Sequence, residues 1–409
     1  YERISSYEEL KSLDFDKACQ MGLVETNICT KLDKLYLEKL NDVKINQVKN
    51  SSLKISYSPL HGTGFYIVPK ALKEFGFQHV FMPKNQTEPN GLFPTVSSPN
   101  PEDTKALYEA LKLAGEKTCD LVMATDPDTD RLGVFVLHEG DYHKLSGNQL
   151  ASLLCHYILS QKNTKKILPK DSCLIKTVVT TELISLIAKS FDVTVEETLT
   201  GFKWIGERIE GYESGKIKPY KNFLCGGEES YGFLAGTFVR DKDAVMTACL
   251  TAEMTHFYKE QDMSLIDALD KLYLDFALFE EDLISITLPG QKGARKIAEL
   301  MNNFRKESQS HFLGKKVLKS IDYNLSADNK NFKAPDASLK LSKENVLEFV
   351  LEGGVKIILR PSGTEPKIKI YLSIKEILSS KTKNLLEERK NALKLLSKNL
   401  QEKLLARIN

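Results

Sequence analysis

The sequence predicts an α/β protein of consecutive three-layer α/β domains with mostly parallel sheets, followed by a C-terminal α+β domain. Short apolar runs that suit buried strands alternate with helical patterns, and this order occurs twice between about 52 and 277. The last third shows neighbouring strand patterns around a Gly-Gly turn instead. The chain has 409 residues, a length that suits two to four domains, and we expect three.

We predict four segments: a linker over 1–29, α/β domains over 30–144 and 145–277, and an α+β domain over 278–409. In the first domain, "SLKISY", "HVFM" and "DLVMA" are predicted strands. A helix interrupted at Pro69 and a helix after "SPNPED" separate them.

The second α/β domain repeats this order. Its predicted strands are "CLIKTVV", "VTVEE" and "NFLCGG", and its predicted helices are "SGNQLASLLCHYILSQ", "TELISLIAKSF" and "GFKWIGERI". In the last domain, "EDLISITL", "EFVLEGGVKIILR" and "KIKIYLSI" predict strands, with a hairpin turn at 352–354 and a long helix from about 377. We interpret 309–345 as loop and edge structure.

The composition excludes several classes of protein. Lys and Arg number 57 against 55 for Asp and Glu, a formal charge of +2 that gives no general attraction for nucleic acid. No apolar run approaches the roughly 20 residues that cross a bilayer, so no membrane role is expected. The seven cysteines are scattered without a Cys-x-x-Cys pair, which argues against a disulfide framework or a zinc site and favours a cytoplasmic location.

The stretch "DPDTDR" follows the predicted strand "DLVMA", so its side chains emerge at the carboxyl end of a sheet, where open α/β folds place ligands. Asp126, Asp128 and Asp130 stand at alternate positions and can converge on one hard cation. Mg²⁺ is the expected ion, because it takes oxygen ligands and shares its sites with substrate phosphates. Arg131 is then expected to hold a phosphoryl group beside the metal.

The acidic loop has other possible interpretations. An EF-hand is excluded, because Arg131 and Leu137 stand where that loop requires glycine and glutamate. An aspartyl phosphatase, with Asp126 as nucleophile and Asp128 as acid, remains an alternative. A solvated acidic turn is the other one.

The loop "CGGEESYG" (225–232) follows the predicted strand "NFL". Its glycines allow a sharp turn close to a ligand. Glu228, Glu229 and Ser230 present oxygen acceptors and one hydroxyl, which suit the vicinal hydroxyls of a sugar. An ordinary glycine-rich turn is the alternative.

The loop "RPSGTEP" (360–366) lies between two predicted strands. The Arg360 guanidinium, the hydroxyls of Ser362 and Thr364 and the backbone N–H groups around Gly363 predict a nest for a dianion, with a tight hairpin as the alternative. A metal site, a hydroxyl-binding loop and a phosphate nest on successive domains predict a phosphosugar held at both ends. That arrangement favours phosphoryl transfer.

In this order the three loops resemble those of the α-D-phosphohexomutase superfamily. "DPDTDR" is similar to its metal-binding loop, "GEESYG" to its sugar-binding loop and "RPSGTEPKIKIY" to its phosphate-binding loop. Three further family segments are matched by "SPLHGTG", "TLTGFKWIG" and "VRDKDA". The resemblance covers most of the chain after about residue 30, and "GEESYG" is closest to the glucose-type and phosphopentomutase branch.

The resemblance implies reversible phosphoryl transfer between the 1- and 6-positions of a hexose phosphate, that is, between glucose 1-phosphate and glucose 6-phosphate. A phosphoserine and a hexose 1,6-bisphosphate would be the intermediates, and Mg²⁺ the cofactor. Phosphopentomutase or phosphomannomutase activity is one alternative. A non-catalytic phosphosugar-binding protein is another.

The resemblance also implies roles for single residues. Arg131 would contact the phosphoserine, and Lys242 would act as general acid or base, which requires a lowered pKa, unless it is a surface lysine. Lys203 and Trp204 would face the sugar, although Trp204 equally suits a core. The remaining implied ligands are grouped by what they bind: Asp126, Asp128 and Asp130 for the metal; Glu228 and Ser230 for the ring hydroxyls; and Arg360, Ser362, Gly363 and Thr364 for the non-reacting phosphate.

The sequence departs from the family in one motif. The reactive serine of the family stands in a first domain, in a Thr-x-Ser-His-Asn-Pro motif that this sequence does not contain. The segment "SSPNPE" (97–102) lacks the histidine, so Ser98 is not assigned as nucleophile. We therefore expect that the serine domain is missing and that the chain alone has no mutase turnover but binds a hexose phosphate. Self-association through the exposed docking surface is also expected.

Overall fold

The structure is a computed structural model. It describes residues 6, 10–26, 28–49, 51–306, 310–328, 331–336, 341–363 and 365–408. The chain divides into two compact units, Tyr1–Lys44 and Ile45–Asn409. The first unit contains the helices α1 (Phe15–Gln20) and α2 (Ile28–Leu40).

The second unit begins with a five-stranded sheet in the order β2-β1-β3-β4-β5. Its strands are β1 (Lys54–Ser58), β2 (His79–Phe81), β3 (Leu121–Thr125), β4 (Leu132–His138) and β5 (Asp141–Leu145). Its helices are α3 (Gly64–Phe75), α4 (Lys84–Thr87) and α5 (Tyr108–Lys117). Strand β1 pairs in parallel with β2 and β3, whereas β3, β4 and β5 pair antiparallel. The antiparallel strands β4 and β5 were not predicted from the sequence.

Helix α3 continues through Pro69, so the predicted interruption is wrong. The helix buries Val68, Ala71, Leu72 and Phe75 on one face. Burial of a large apolar side chain contributes about 1.5–3 kcal/mol. Three such side chains therefore outweigh the cost of about 3 kcal/mol that a proline imposes inside a helix.

The second sheet has the order β7-β6-β8-β9. Its strands are β6 (Ser172–Thr177), β7 (Thr194–Thr198), β8 (Asn222–Gly227) and β9 (Phe233–Ala235). The helices around it are α6 (Gly147–Thr164), α7 (Leu183–Ser190), α8 (Phe202–Glu213), α9 (Ala244–Lys259) and α10 (Leu265–Asp275). Strand β6 is parallel to both β7 and β8, and β9 is antiparallel to β8.

The last sheet is antiparallel, with the order β10-β15-β14-β13-β12-β11. Its strands are β10 (Leu278–Thr287), β11 (His311–Phe312), β12 (Lys315–Asp322), β13 (Leu347–Leu351), β14 (Val355–Pro361) and β15 (Lys367–Glu376). Its helices are α11 (Gly290–Lys306) and α12 (Lys383–Ile408). The predicted hairpin turn lies between β13 and β14, and the predicted fold class is confirmed. Within the described ranges, no helix has the length and apolar character needed to cross a bilayer.

One face of the last sheet packs against the second α/β domain through an apolar cluster. The cluster consists of Val178, Val179, Leu199, Ile321, Tyr323, Val346, Ile358 and Tyr371. Trp204 at the start of α8 packs against the same cluster, as its core interpretation predicts. This contact fixes the position of β14 and β15 relative to the loop that follows β8.

Candidate active site

The acidic loop begins where β3 ends. Hydrogen bonds between its first aspartate and its own backbone N–H groups hold its shape. Asp126 Oδ1 accepts the N–H groups of Asp130 at 3.0 Å and of Arg131 at 2.9 Å. One carboxylate oxygen from each of Asp126, Asp128 and Asp130 lies within 4.8 Å of the other two. Burial raises the pKa of Asp126 to about 7, although the bond from the Arg131 backbone opposes this rise. Three convergent oxygen donors that repel one another fit a hard divalent cation.

A turn from another part of the same domain supports this loop. The Thr63 N–H and the Thr63 hydroxyl both donate to the Pro127 carbonyl oxygen, at 2.8 and 3.0 Å. Gly62 approaches the loop so closely that an added Cβ would lie 2.3 Å from the Pro127 Cα. The segment "SPLHGTG" therefore holds the backbone of the acidic loop in place.

Two cationic side chains flank the carboxylates. Arg131 Nε lies 3.9 Å from Asp126 Oδ2 and 3.8 Å from Asp130 Oδ1. Arg131 Nη1 also lies 3.4 Å from Glu102 Oε1. Lys242 Nζ lies 2.9 Å from Asp130 Oδ2. Both cations therefore lie beside the carboxylates of the acidic loop.

Lys242 is not a surface lysine, because its side chain is only 12% exposed. Burial lowers its pKa, but hydrogen bonds to Asp130 and Asp241 outweigh this effect and raise the pKa above its usual value. The side chain is therefore an ammonium at neutral pH. This state suits a proton donor, and the lowered pKa that a resting general base requires is not found here.

The acidic loop is joined directly to the sugar-type loop "GEESYG". Arg131 pairs with Gly232 as an antiparallel bridge, and the Leu132 N–H donates to the Tyr231 carbonyl at 3.1 Å. Gly232 also makes room for the lysine, because a Cβ at this position would lie 2.2 Å from Lys242 Cδ. The bridge brings the carboxylates, both cations and the second loop into one region.

Within the second loop, Glu228 is buried and accepts the Gly201 N–H at 2.8 Å. Burial raises its pKa, while this bond and the nearby Lys242 and Arg131 lower it. Gly201 caps α8, so the segment "TLTGFKWIG" is held beside Glu228. Lys203 is exposed in the first turn of α8, with its Nζ 4.7 Å from the Trp204 ring centroid.

A cavity of about 410 Å³ lies beside the same loop. Glu229, Ser230 and Tyr231 contribute to its wall, together with Glu102 from the first α/β layer and Tyr371 from β15. Of the predicted site residues that the structure describes, Ser230 lines this cavity. The other described residues among the predicted site residues do not line this cavity.

The third loop connects β14 to β15. Arg360 Nη2 lies 3.5 Å from Glu344 Oε1. The Ser362 N–H donates to the Lys367 carbonyl at 2.7 Å, and the Ser362 hydroxyl accepts the Glu365 N–H at 3.3 Å. Gly363 is exposed. The prediction for Thr364 lies outside the described residues.

The structure therefore brings the predicted metal ligands, Arg131, Lys242 and Glu228 together, and it places Lys203 on the adjacent helix. Two contributors were missed by the sequence analysis. Glu102 pairs with Arg131 across 29 positions, and no local pattern signals such a partner. Tyr371 was readable from the alternation of "KIKIYL", which places it on the same face of β15 as Lys369.

Comparison with known proteins identifies the family. The description "Phosphoglucomutase/phosphomannomutase, alpha/beta/alpha domain II" matches residues 34–140, and the corresponding domain III matches residues 146–276. The chain belongs to the phosphoglucomutase/phosphomannomutase family. The two matches contain the acidic loop and "GEESYG" respectively.

Curated relatives carry the phosphoglucomutase name. The chain is 34% identical to the phosphoglucomutase of Staphylococcus haemolyticus over 356 residues, which is 86% of this chain and 63% of the relative. It is 36% identical to that of Staphylococcus epidermidis over 342 residues, 83% of this chain and 60% of the relative. The chain thus spans less than two thirds of the length of these phosphoglucomutases.

Solved structures of the family share the fold. A phosphoglucomutase/phosphomannomutase family protein from Burkholderia thailandensis has a TM-score of 0.58 at 14% identity, covering 92% of this chain and 64% of that one. The open form of parafusin, a phosphoglucomutase from Paramecium, has a TM-score of 0.59 at 17% identity, covering 92% and 62%. At these identities the likeness shows the fold alone.

The sequence contains one Ser-His pair, Ser310-His311, and it does not supply the reactive motif of the family. His311 begins β11 at the far edge of the last sheet, and Phe312 follows it where the motif has asparagine. His311 Nδ1 lies 3.4 Å from Ser310 Oγ. Neither residue is placed among the three loops by the strand order.

Proposed function

We propose that the chain acts in reversible phosphoryl transfer between the 1- and 6-positions of a hexose phosphate, interconverting glucose 1-phosphate and glucose 6-phosphate. The observation that carries this proposal is the Arg131–Gly232 bridge, which joins the acidic loop to the loop "GEESYG". The names of the curated relatives support the same reaction. Membership of the family supports a phosphosugar substrate.

Asp126, Asp128 and Asp130 are proposed to hold Mg²⁺, which would supply positive charge to the transferring phosphoryl group. Arg131 would contact the oxygens of that group. Lys242 donates a proton to the sugar oxygen as the phosphoryl group leaves it. In the opposite direction, the neutral amine accepts the proton of the attacking hydroxyl, as microscopic reversibility requires.

The remaining proposed roles concern binding. Glu228 and Ser230 bind ring hydroxyls, and Lys203 contacts the sugar from α8. The non-reacting phosphate is held by Arg360, Ser362, Gly363 and Thr364. A hexose 1,6-bisphosphate formed by the first transfer would reorient, so that each phosphate occupies each subsite in turn. A phosphoserine is the proposed donor and acceptor of the transferred group.

Titration calorimetry with glucose 1,6-bisphosphate tests the proposal without requiring turnover. We expect one ligand per chain in the presence of Mg²⁺, with weaker binding after chelation by EDTA and in Asp128→Asn. Asp141→Asn on the exposed start of β5 is the matched control and should bind as the wild type does. Glucose 6-phosphate should compete better than mannose 6-phosphate or ribose 5-phosphate. Absence of binding to all of these ligands would overturn the proposal.

A further inference from the structure

The second glutamate of "GEESYG", Glu229, has different neighbours from the first. Glu228 accepts a bond from Gly201, whereas Glu229 meets β15 of the last sheet, where Lys369 and Tyr371 influence its carboxylate. Glu229 lines the cavity of about 410 Å³ together with Ser230 and Tyr371, whereas Glu228 does not. The two glutamates of this loop therefore contact different parts of the protein.

The partner of Glu229 stands on the strand next to the phosphate-type loop. Ile358 is paired with Tyr371 across β14 and β15, and Arg360 is paired with Lys369. Alternate residues share a face of a sheet, so Arg360 and Tyr371 lie on the same face. Burial raises the pKa of the Tyr371 hydroxyl most, Glu229 raises it further, and Arg360 lowers it.

Three buried polar atoms in this cluster have no hydrogen-bond partner among the described residues. They are Glu229 Oε2, the Tyr371 hydroxyl and Arg360 Nε. A buried polar atom without a partner is costly, so such groups are expected to pair in some state of the protein. Burial, and after it the adjacent Glu228, also raise the pKa of Glu229 to about 7. Each of the three groups would be satisfied by closer approach to its neighbour in the cluster.

We propose that Glu229 and Tyr371 are positioning residues that couple the sugar-binding loop to Arg360 of the phosphate-binding loop. The Tyr371 hydroxyl donates to the Glu229 carboxylate when a phosphosugar bridges the two loops, and this bond fixes the guanidinium of Arg360 toward the non-reacting phosphate. The proposal rests on the proposed function, because it requires one ligand to engage both loops.

The cluster connects elements far apart in sequence. Glu229 follows β8 and Tyr371 lies on β15, and both also line the 410 Å³ cavity between the second α/β layer and the last sheet. The backbone of Glu229 is continuous with Glu228 and Ser230, and Tyr371 is one strand away from Arg360. A bond between the two side chains therefore limits the distance between the hydroxyl-binding and phosphate-binding groups. The affinity for a ligand with both a sugar and a phosphate depends on this distance, whereas the affinity for inorganic phosphate does not.

The test compares glucose 6-phosphate with inorganic phosphate by titration calorimetry. Tyr371→Phe and Glu229→Leu remove the donor and the acceptor, and each should weaken glucose 6-phosphate binding about tenfold, with little change for inorganic phosphate. Glu229→Gln keeps an acceptor oxygen at nearly the same volume and should bind within about twofold of the wild type. The double variant should lose no more than either single variant, because both remove one interaction.

A second buried tyrosine of the same apolar cluster is the matched control. The Tyr323 hydroxyl donates to Glu348 Oε2 at 2.9 Å, so Tyr323→Phe removes a bond that includes neither Glu229 nor Arg360. It should leave glucose 6-phosphate binding unchanged. Equal losses for both ligands, or additive losses in the double variant, would refute the coupling while leaving the proposed function intact.

Failure of the wild type to bind glucose 6-phosphate would instead remove the proposed function and this inference together. Should Glu229→Leu fail to fold, Tyr371→Phe decides the question alone. Wild-type affinity of a folded Tyr371→Phe for both ligands would be evidence against the inference.

Discussion

Replacement of Gly62 by alanine should weaken cation binding at the acidic loop, although Gly62 lies outside that loop. The added Cβ would lie 2.3 Å from the Pro127 Cα and 2.6 Å from the Pro127 carbonyl oxygen. Ordinary contact distances require a shift of about 1 Å, and here the obstacle is backbone and cannot rotate away. The two hydrogen bonds that Thr63 donates to the same carbonyl would be disturbed.

The expected magnitude follows from this displacement. Overpacking of this kind costs about 1–3 kcal/mol of folding stability. Displacement of a group that orients metal ligands typically lowers metal affinity about 10–100-fold. We therefore expect Gly62→Ala to remain folded and to bind Mn²⁺, used as a paramagnetic substitute for Mg²⁺, at least tenfold more weakly.

Electron paramagnetic resonance of free Mn²⁺ measures that affinity, and urea unfolding measures the stability. Gly91→Ala is the control, because a Cβ at this position of the same α/β layer meets nothing within 4 Å. Its Mn²⁺ affinity should equal that of the wild type. A folded Gly62→Ala protein that binds Mn²⁺ as the wild type does would refute the role of this turn.

Three further predictions concern charge and space around the loops. Burial raises the pKa of Glu281 to about 7, so the folded chain binds this proton more tightly and loses stability as pH rises from about 4.5 to 7. Glu281→Gln should therefore stabilise the protein by about 1–2 kcal/mol at pH 8 and hardly at pH 4, measured by urea unfolding, after allowance for partial solvent screening. Lys242→Met should tighten Mn²⁺ binding about fivefold, because one cation no longer competes at Asp130; unchanged or weaker Mn²⁺ binding would contradict this. Gly232→Ala should shift Mn²⁺ affinity in the same direction by pushing the lysine stem aside, whereas Gly115→Ala, which meets open space, should not.

Much of the fold was readable from the sequence because its strands carry strong local patterns. The parallel strands β1, β3, β6 and β8 are short apolar runs between helical patterns, and the Gly-Gly turn marks one hairpin. Strands β4 and β5 were not predicted, and Pro69 was assigned a break that packing overrides. The conformational preference of a single residue decides the secondary structure only where the burial of neighbouring side chains does not outweigh it.

In the candidate site, too, the features carried by neighbouring residues were predicted, and those that depend on packing between distant segments were not. The carboxylate triad was predicted because its three members are near neighbours in the chain, and the structure places their oxygens within 4.8 Å. The Glu102 partner of Arg131 and the contact of Glu229 with Tyr371 depend on how separate layers pack. The pKa of Lys242 also depends on this packing, since its partner Asp130 belongs to another loop. Contacts between segments that are far apart in the chain leave no local pattern in the sequence.

The most direct measurement is the affinity of glucose 1,6-bisphosphate for variants of each loop, with Mg²⁺ present. Asp128→Asn, Glu228→Gln and Arg360→Gln alter the metal-type, sugar-type and phosphate-type loops respectively. If one bisphosphate spans all three loops, each folded variant binds it at least tenfold more weakly, at one ligand per chain. A folded variant of any one loop that binds the bisphosphate with wild-type affinity would show that this loop does not contribute to a common site.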